Sequence, residues 1–180
     1  EAPANRELID RSLTHWHSFG RAMGYSFTGG ACMAALLGDG ERALGFLNGL
    51  KSFLQPNTFY YEIDHLPVME TPLHGATAMQ EMLLQSHTGT VHIFPAIPDD
   101  WKNASFENLR AEGAFLASST LQNSSMKKVI IKSEKGGNLK LKNPFDDTTF
   151  NCTSEFKIIE KNVISIQTKP NQTIEFEMKE

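Results

Sequence analysis

The chain has 180 residues, with 17 lysines and arginines against 21 aspartates and glutamates, and a net charge of −4 at pH 7. This acidic balance disfavours a nucleic-acid-binding protein, and the 40% share of hydrophobic residues excludes disorder of the whole chain. No apolar run approaches the roughly 18 residues that a membrane-spanning helix needs. The sequence starts at Glu1 without the basic n-region and apolar h-region of a signal peptide. We therefore expect it to follow processing or to lie inside a longer protein.

The first two predicted elements are helices. From Arg6 to Phe19 apolar residues return every three or four positions, which predicts an amphipathic helix. A second helix, rich in small residues, is predicted over 25–37. Its Gly29 and Gly30 lower helix propensity by about 1 kcal/mol each relative to alanine, so we expect a neighbouring helix to approach them closely.

Two further helices are predicted on either side of a long loop. Asp39 is placed to cap a third helix, which forms a hairpin with the second. Residues 55–72 lose periodicity and mix prolines, aromatic residues and acids, which is typical of an ordered loop that carries a site. Thr71 as N-cap and Pro72 as first helical residue predict a last helix that runs to His87. The predicted apolar face of this helix consists of Ala76, Met79, Met82 and Leu83.

After Gly89 the hydrophobic period changes to two. Short alternating runs are separated by glycine, asparagine and proline turns, which favours antiparallel strands with one solvated face. The simplest arrangement is a β-sandwich of about seven or eight short strands. We therefore predict an α+β chain with a helical segment over 1–90 and a β-sandwich over 91–180.

Several segments resemble a known family. They are similar to the C-terminal portion of the inverting α-L-fucosidases, glycoside hydrolase family ninety-five, and run from about Tyr25 to about Phe115. The most specific part is Glu81–Gly89 with the Pro-Ala-Ile-Pro segment behind it. The other matching segments are Tyr25-Ser26, Leu37–Ala43, Met69–Gln80, Trp101 and Leu109–Gly113.

The resemblance implies an architecture and a reaction. The family has an N-terminal β-domain, an α/α toroid that carries the active site, and a C-terminal β-domain, so this chain would hold the last toroid helices and the terminal domain. An ungapped match places Glu70 at the aspartate of the family's Ile-Asp-Gly-Asn-Phe-Gly motif, which implies Glu70 as the general base, although Met69–His74 replaces that motif here.

The same resemblance implies partners and a location. The substrate would be an α-L-fucoside or a related oligosaccharide or polysaccharide glycan, and the protein would be periplasmic or extracellular. The family's general acid lies upstream of the matched region, so the upstream remainder of the parent chain is an expected partner. The isolated 180-residue chain is predicted to lack turnover, and no cofactor is expected.

The candidate site residues have structural alternatives. The Glu70 carboxylate could instead stabilise a helix N-terminus, an effect of about 0.3–1 kcal/mol. Glu62, Asp64 and His65 could accept sugar hydroxyls or act as an acid or base, or could belong to a solvated loop. His74 completes the predicted substrate-binding set.

Other histidines and the two cysteines carry little chemical signal. His15 and His17 lie two residues apart and cannot meet one ligand from a helix, so we predict that Trp16 packs in the core and that both histidines are on the surface. A metal site would need histidines from three segments to converge, and none is predicted. Cys32 and Cys152 are interpreted as ordinary thiols.

A second class of function stays open. The chain could be a free-standing, non-catalytic carbohydrate-binding or interaction module, and the reading frame upstream of Glu1 would discriminate the two. Incomplete toroid helices would expose apolar surface, so we expect self-association or packing of the helices on the β-domain. The candidate residues for that surface are Phe19, Phe27, Phe46 and Phe53.

Overall fold

The computed structural model describes residues 3–20, 22–56, 68–145, 149–159 and 162–179. It divides into two compact units, which we call the helical unit (Glu1–Met82 with Ala96–Pro98) and the strand unit (Leu83–Pro95 with Asp99–Glu180). Helices and antiparallel sheets together confirm the α+β class.

The helices of the helical unit follow the predicted order. Asp39 precedes the third of them, and its carboxylate accepts a hydrogen bond from the Arg42 backbone N–H at 3.0 Å, which confirms the predicted cap. A short 3-10 turn follows at Lys51–Phe53. The helices are α1 (Pro3–Ser18), α2 (Gly24–Leu36), α3 (Gly40–Leu50) and α4 (Glu70–Leu83).

The bounds predicted for α4 are wrong at both ends. The helix starts at Glu70, so Thr71 is a buried residue of the first turn and not the N-cap. It stops at Leu83 and not at His87, because the next two residues form a strand pair. The buried face is also rotated from the prediction and consists of Thr71, Gly75, Ala78 and Met82.

Gly75 explains that rotation. A Cβ placed on Gly75 would lie 3.4 Å from side-chain carbons of both Thr28 and Leu50, so α4 packs on α2 and α3 through this glycine. Glycine and threonine score poorly as apolar residues, which is why the sequence pattern favoured Ala76 and Met79, both exposed in the structure.

Helix α1 packs against the α2–α3 hairpin through one narrow stripe. Leu13 is buried, and His17, four residues later, lies on the same side with its ring centroid 4.2 Å from that of Phe46. Trp16 is therefore at the edge of the contact and is 42% exposed, so the prediction of a core tryptophan is wrong, and His17 faces inward in its place.

Polar contacts fix the same helix. The Arg6 guanidinium donates to the Leu37 carbonyl, and Arg42 pairs with Asp10 and donates to the Thr14 hydroxyl at 2.8 Å. These contacts join α1 to the far end of α2 and to the start of α3.

The paired glycines of α2 allow α1 to approach, as predicted. A Cβ on Gly30 would lie 2.7 Å from Nε2 of His17, and a Cβ on Gly29 would lie 3.8 Å from the Trp16 indole. Any side chain at position 30 would displace the His17 ring.

The phenylalanines proposed for an exposed surface differ in burial. Phe19 is 62% exposed. Phe46 is half-buried against His17, and Phe27 pairs with Phe53 at a ring-centroid distance of 5.8 Å. Of these four, Phe19 is therefore the one exposed residue.

The strand unit contains ten strands within the described residues, more than predicted, because several span only two or three residues. All pairings between these strands are antiparallel, in sheets of order β3-β4-β5-β10-β7, β6-β9-β8 and β1-β2. The strands are β1 (Leu84–Gln85), β2 (His92–Ile93), β3 (Ala104–Ala111), β4 (Phe115–Gln122), β5 (Ser125–Ser133), β6 (Gly137–Lys142), β7 (Phe150–Cys152), β8 (Lys157–Ile159), β9 (Val163–Thr168) and β10 (Gln172–Met178).

One apolar core serves both larger sheets of this unit. In the five-stranded sheet Ile131 lies opposite Ile174, and Val129 lies opposite Phe176, all fully buried. Leu139 and its neighbours on β6 and β9 complete the same cluster. The alternation with period two in the sequence is confirmed by this one-sided burial.

Candidate functional site

Glu70 lies at the amino end of α4. It is the first residue of that helix, and its side chain is exposed. The unpaired N–H groups of a helix N-terminus carry a partial positive charge, so acidic residues are favoured in the first turn of a helix. The other acidic candidates, Glu62 and Asp64, lie outside the described residues, as does His65.

His74 lies one helical turn after Glu70. Residues four apart share a helix face, so the two side chains project from the same side of α4. His74 is half-buried, with its ring centroid 5.2 Å from that of Tyr25 at an interplanar angle of 38°. The structure thus brings together two of the five predicted site residues and adds Tyr25 from α2.

Thr28 is a site residue that sequence reasoning missed. It is fully buried on α2, and its hydroxyl lies 3.3 Å from the Tyr25 carbonyl oxygen and 3.5 Å from Nδ1 of His74. A threonine hydroxyl has one proton, and the carbonyl can only accept it. When the hydroxyl donates to that carbonyl, its oxygen is left to accept a hydrogen bond from Nδ1–H of His74.

A cavity of about 490 Å³ lies between the end of α1 and the start of α2. Trp16 and Phe19 both combine a wall position with substantial solvent exposure. Burial, and secondarily the nearby Arg42 guanidinium, lowers the pKa of His17, so this wall residue is neutral at neutral pH. The described lining residues are Trp16, His17, Phe19, Ala22 and Ser26.

The two cysteines are free thiols in the structure. Burial raises the pKa of the Cys32 thiol, with a smaller contribution from Glu81, and burial also raises that of Cys152. A protonated thiol is a poor nucleophile, so neither cysteine has the electrostatic environment of a reactive one. Among the residues that the structure describes, no group of three or more His, Cys, Asp or Glu side chains is placed to hold a metal ion.

The comparison with protein families concerns the strand unit. Residues 85–179 match the family model described as glycoside hydrolase family 95, C-terminal domain. The chain belongs to glycoside hydrolase family 95. The match covers more than half of the 180 residues and confirms the family that the sequence resembles.

Membership in family 95 associates the chain with glycosidases and with glycan substrates. Glu70 and His74 precede the matched range, so the match does not extend to them. No curated protein matches the chain. Within the described ranges, the helices of this family 95 chain are too short or too polar to cross a membrane.

Proposed function

We propose that this chain is the C-terminal portion of a glycosidase that removes a terminal sugar with inversion, from an α-L-fucoside or a related glycan. Glu70 is the general base. The observation that carries this proposal is an exposed carboxylate at the start of α4, directly upstream of a family 95 C-terminal domain.

The position of Glu70 suits a base better than an acid. A general base must be ionised, and the helix N-terminus stabilises the anion. In an inverting reaction this carboxylate activates a water molecule, while a second carboxylic acid, roughly 6.5–9.5 Å away, protonates the leaving oxygen. We assign that acid to the upstream part of the protein, so the 180-residue chain alone has no turnover.

The substrate-binding groups surround this base in the proposal. The His74 imidazole hydrogen-bonds to a sugar hydroxyl on the same side of α4. Glu62, Asp64 and His65, which precede α4 in the sequence, are proposed to bind further hydroxyl groups. A polar sugar with an apolar face suits such a mixture of acids, imidazoles and the Tyr25 ring.

The two units correspond to two parts of the family architecture in this proposal. Residues 1–90 provide the last helices of an α/α toroid, which is supported by large apolar side chains left exposed, among them Leu8 at 63% and Leu73 at 65%. Residues 91–180 form a terminal β-sandwich, which is supported by the single core shared by two sheets. The protein acts outside the cytoplasm, in the periplasm or extracellularly, where glycans are met.

The experiment that tests the base compares Glu70→Gln with Glu41→Gln. Both are exposed first-turn glutamates, on α4 and α3 respectively, so they match in their effect on helix stability. Sugar release is measured from aryl α-L-fucosides and fucosyllactose, with the 180-residue chain and with the chain extended by its upstream reading frame. Loss of a general base lowers turnover by about 10²- to 10⁴-fold.

We expect only the extended protein to release sugar. This release is abolished by Glu70→Gln and retained in Glu41→Gln. Full activity of Glu70→Gln would show that Glu70 is not the base and that its carboxylate serves only to stabilise the helix. Release by the 180-residue chain that disappears in Glu70→Gln would place a general acid within these residues, with Glu62 and Asp64 the first to test.

The aromatic cavity favours one other function, a non-catalytic carbohydrate-binding or interaction module. In that case the extended protein binds glycans without releasing sugar, or a signal peptide directly precedes Glu1. Sugar release by the extended protein excludes this second function.

A further inference from the structure

Trp16 has an unusual position for a tryptophan in a helical unit. One edge of its indole lies 3.8 Å from where a Cβ on Gly29 of α2 would be, yet 42% of the residue is exposed and it forms part of a cavity wall. Phe19, one turn later, adds a second exposed ring to the same wall. Two large aromatic side chains are therefore held at a concave surface and not in the core.

The chemistry of the wall selects a class of ligand. A cavity of about 490 Å³ lies within the size range of small-molecule sites. The described lining residues include no carboxylate and no ammonium group, and His17 is neutral, so a charged ligand finds no counter-ion among them. Aromatic faces beside the Ser26 hydroxyl suit an uncharged molecule with one apolar face and a hydroxyl rim, as a pyranose has.

The cavity is joined to the candidate catalytic residues through α2. Ser26 lines the cavity, and the preceding residue, Tyr25, contacts His74, which shares a helix face with Glu70. Consecutive Cα atoms are only about 3.8 Å apart, so the first turn of α2 separates the two places.

We propose that the cavity between α1 and α2 is a glycan-binding subsite, in which a neutral pyranose residue stacks on Trp16 and hydrogen-bonds to Ser26. That this sugar adjoins the one hydrolysed at Glu70 rests on the proposed function. The stacking itself does not, because binding to the cavity requires no general base.

Binding is measured by isothermal titration calorimetry with L-fucose, lactose and fucosyllactose on the full chain. Trp16→Ala removes the stacking surface and is expected to weaken binding about tenfold, whereas Trp16→Phe keeps a ring and is expected to stay within about threefold. Ser26→Ala removes one hydrogen bond and is expected to weaken binding about three- to tenfold. Leu8→Ala, an exposed change on α1 away from the cavity lining, leaves the Kd unchanged.

The outcomes separate this inference from the proposed function. Trp16→Ala that binds as tightly as the parent, or a parent chain that binds none of the three sugars, overturns the subsite. If Trp16→Ala loses binding while Glu70→Gln retains full turnover, the subsite stands and the assignment of the base fails. Trp16→Phe is the control for folding, and its thermal melt is followed by circular dichroism. If this variant melts like the parent chain but loses all sugar binding, stacking is also contradicted.

Discussion

The two units bury different kinds of side chain. The core of the helical unit is rich in small residues, with Ala31, Ala34, Ala43 and Ala78 fully buried beside the larger Leu13 and Met82. The unit leaves Leu8, Phe19 and Leu73 largely exposed. The strand unit buries its large residues, including Ile131, Leu139 and Phe176. Burial of apolar area scales with side-chain size, so the strand unit gains more hydrophobic stabilisation per core residue.

This difference shows that the two units depend on different things. Stability in the strand unit follows from the volume of the large apolar side chains in its core cluster. Stability in the helical unit follows from how closely helix backbones approach, because glycines and alanines occupy the contacts. Removing volume should therefore damage the first unit, and adding volume should damage the second.

The largest effect is expected for removal of volume from the strand unit. Phe176→Ala deletes a fully buried ring and should lower the free energy of unfolding by about 3–5 kcal/mol. The matched control, Leu8→Ala, removes an exposed side chain of the helical unit and should change it by less than about 0.5 kcal/mol. Urea denaturation of both variants checks this, and equal losses would contradict the contrast between the units.

A smaller effect is expected for addition of volume to the helical unit. A Cβ at Gly40 would lie 2.5 Å from the Ile97 carbonyl oxygen, a backbone atom that cannot rotate away, so Gly40→Ala should cost about 1–3 kcal/mol. Gly45→Ala, on the same helix, meets nothing within 4 Å and should stabilise by about 0.5–1 kcal/mol. Thermal denaturation should move Tm in opposite directions for the two variants.

The smallest effect is a pH dependence. Burial, and secondarily Arg42, lowers the pKa of His17 in the folded state below its ordinary value of 6.5. The unfolded chain then holds the proton more tightly, so stability falls as the pH drops through about 6.5 and stops falling below the folded-state pKa. In His17→Asn, the Tm should depend less on pH across this range.

His92 provides the matching test in the strand unit. Its pKa is lowered by burial first, then by Lys142 and His87, so the sign of its contribution is the same. His92→Asn should remove a separate part of the acid destabilisation. An unchanged pH dependence of Tm in both single variants would exclude these histidines as its source.

Local sequence rules predicted the elements that depend on nearby residues. The Asp39 cap and the close approach at Gly29 and Gly30 followed from helix propensity, and the strands followed from alternation with period two. The predicted end of α4 was wrong because Leu84 pairs with Ile93, a contact that overrides helix propensity. The prediction that Trp16 packs in the core was wrong because Leu13 and His17 occupy the narrow contact of α1.

Only part of the candidate site could be predicted from the sequence. Glu70 came from the family resemblance, since a single glutamate before a helix carries no catalytic signature of its own. Thr28 lies 46 positions before His74 and is recognisable only from their contact in space. The aromatic wall of the cavity required the rotation of α1 to be known, because one residue of rotation decides whether Trp16 faces the core or the solvent.

The close contact at Gly30 of α2 also limits how the proposed subsite can be redesigned. A Cβ on Gly30 would lie 2.7 Å from Nε2 of His17, so Gly30 cannot be varied without moving that ring, whereas a Cβ on Gly29 would meet the Trp16 indole at an ordinary contact distance of 3.8 Å. Phe19, Ala22 and Ser26 lie away from that glycine contact. A combinatorial library that varies the proposed subsite therefore belongs at these three positions, with Gly30 held fixed.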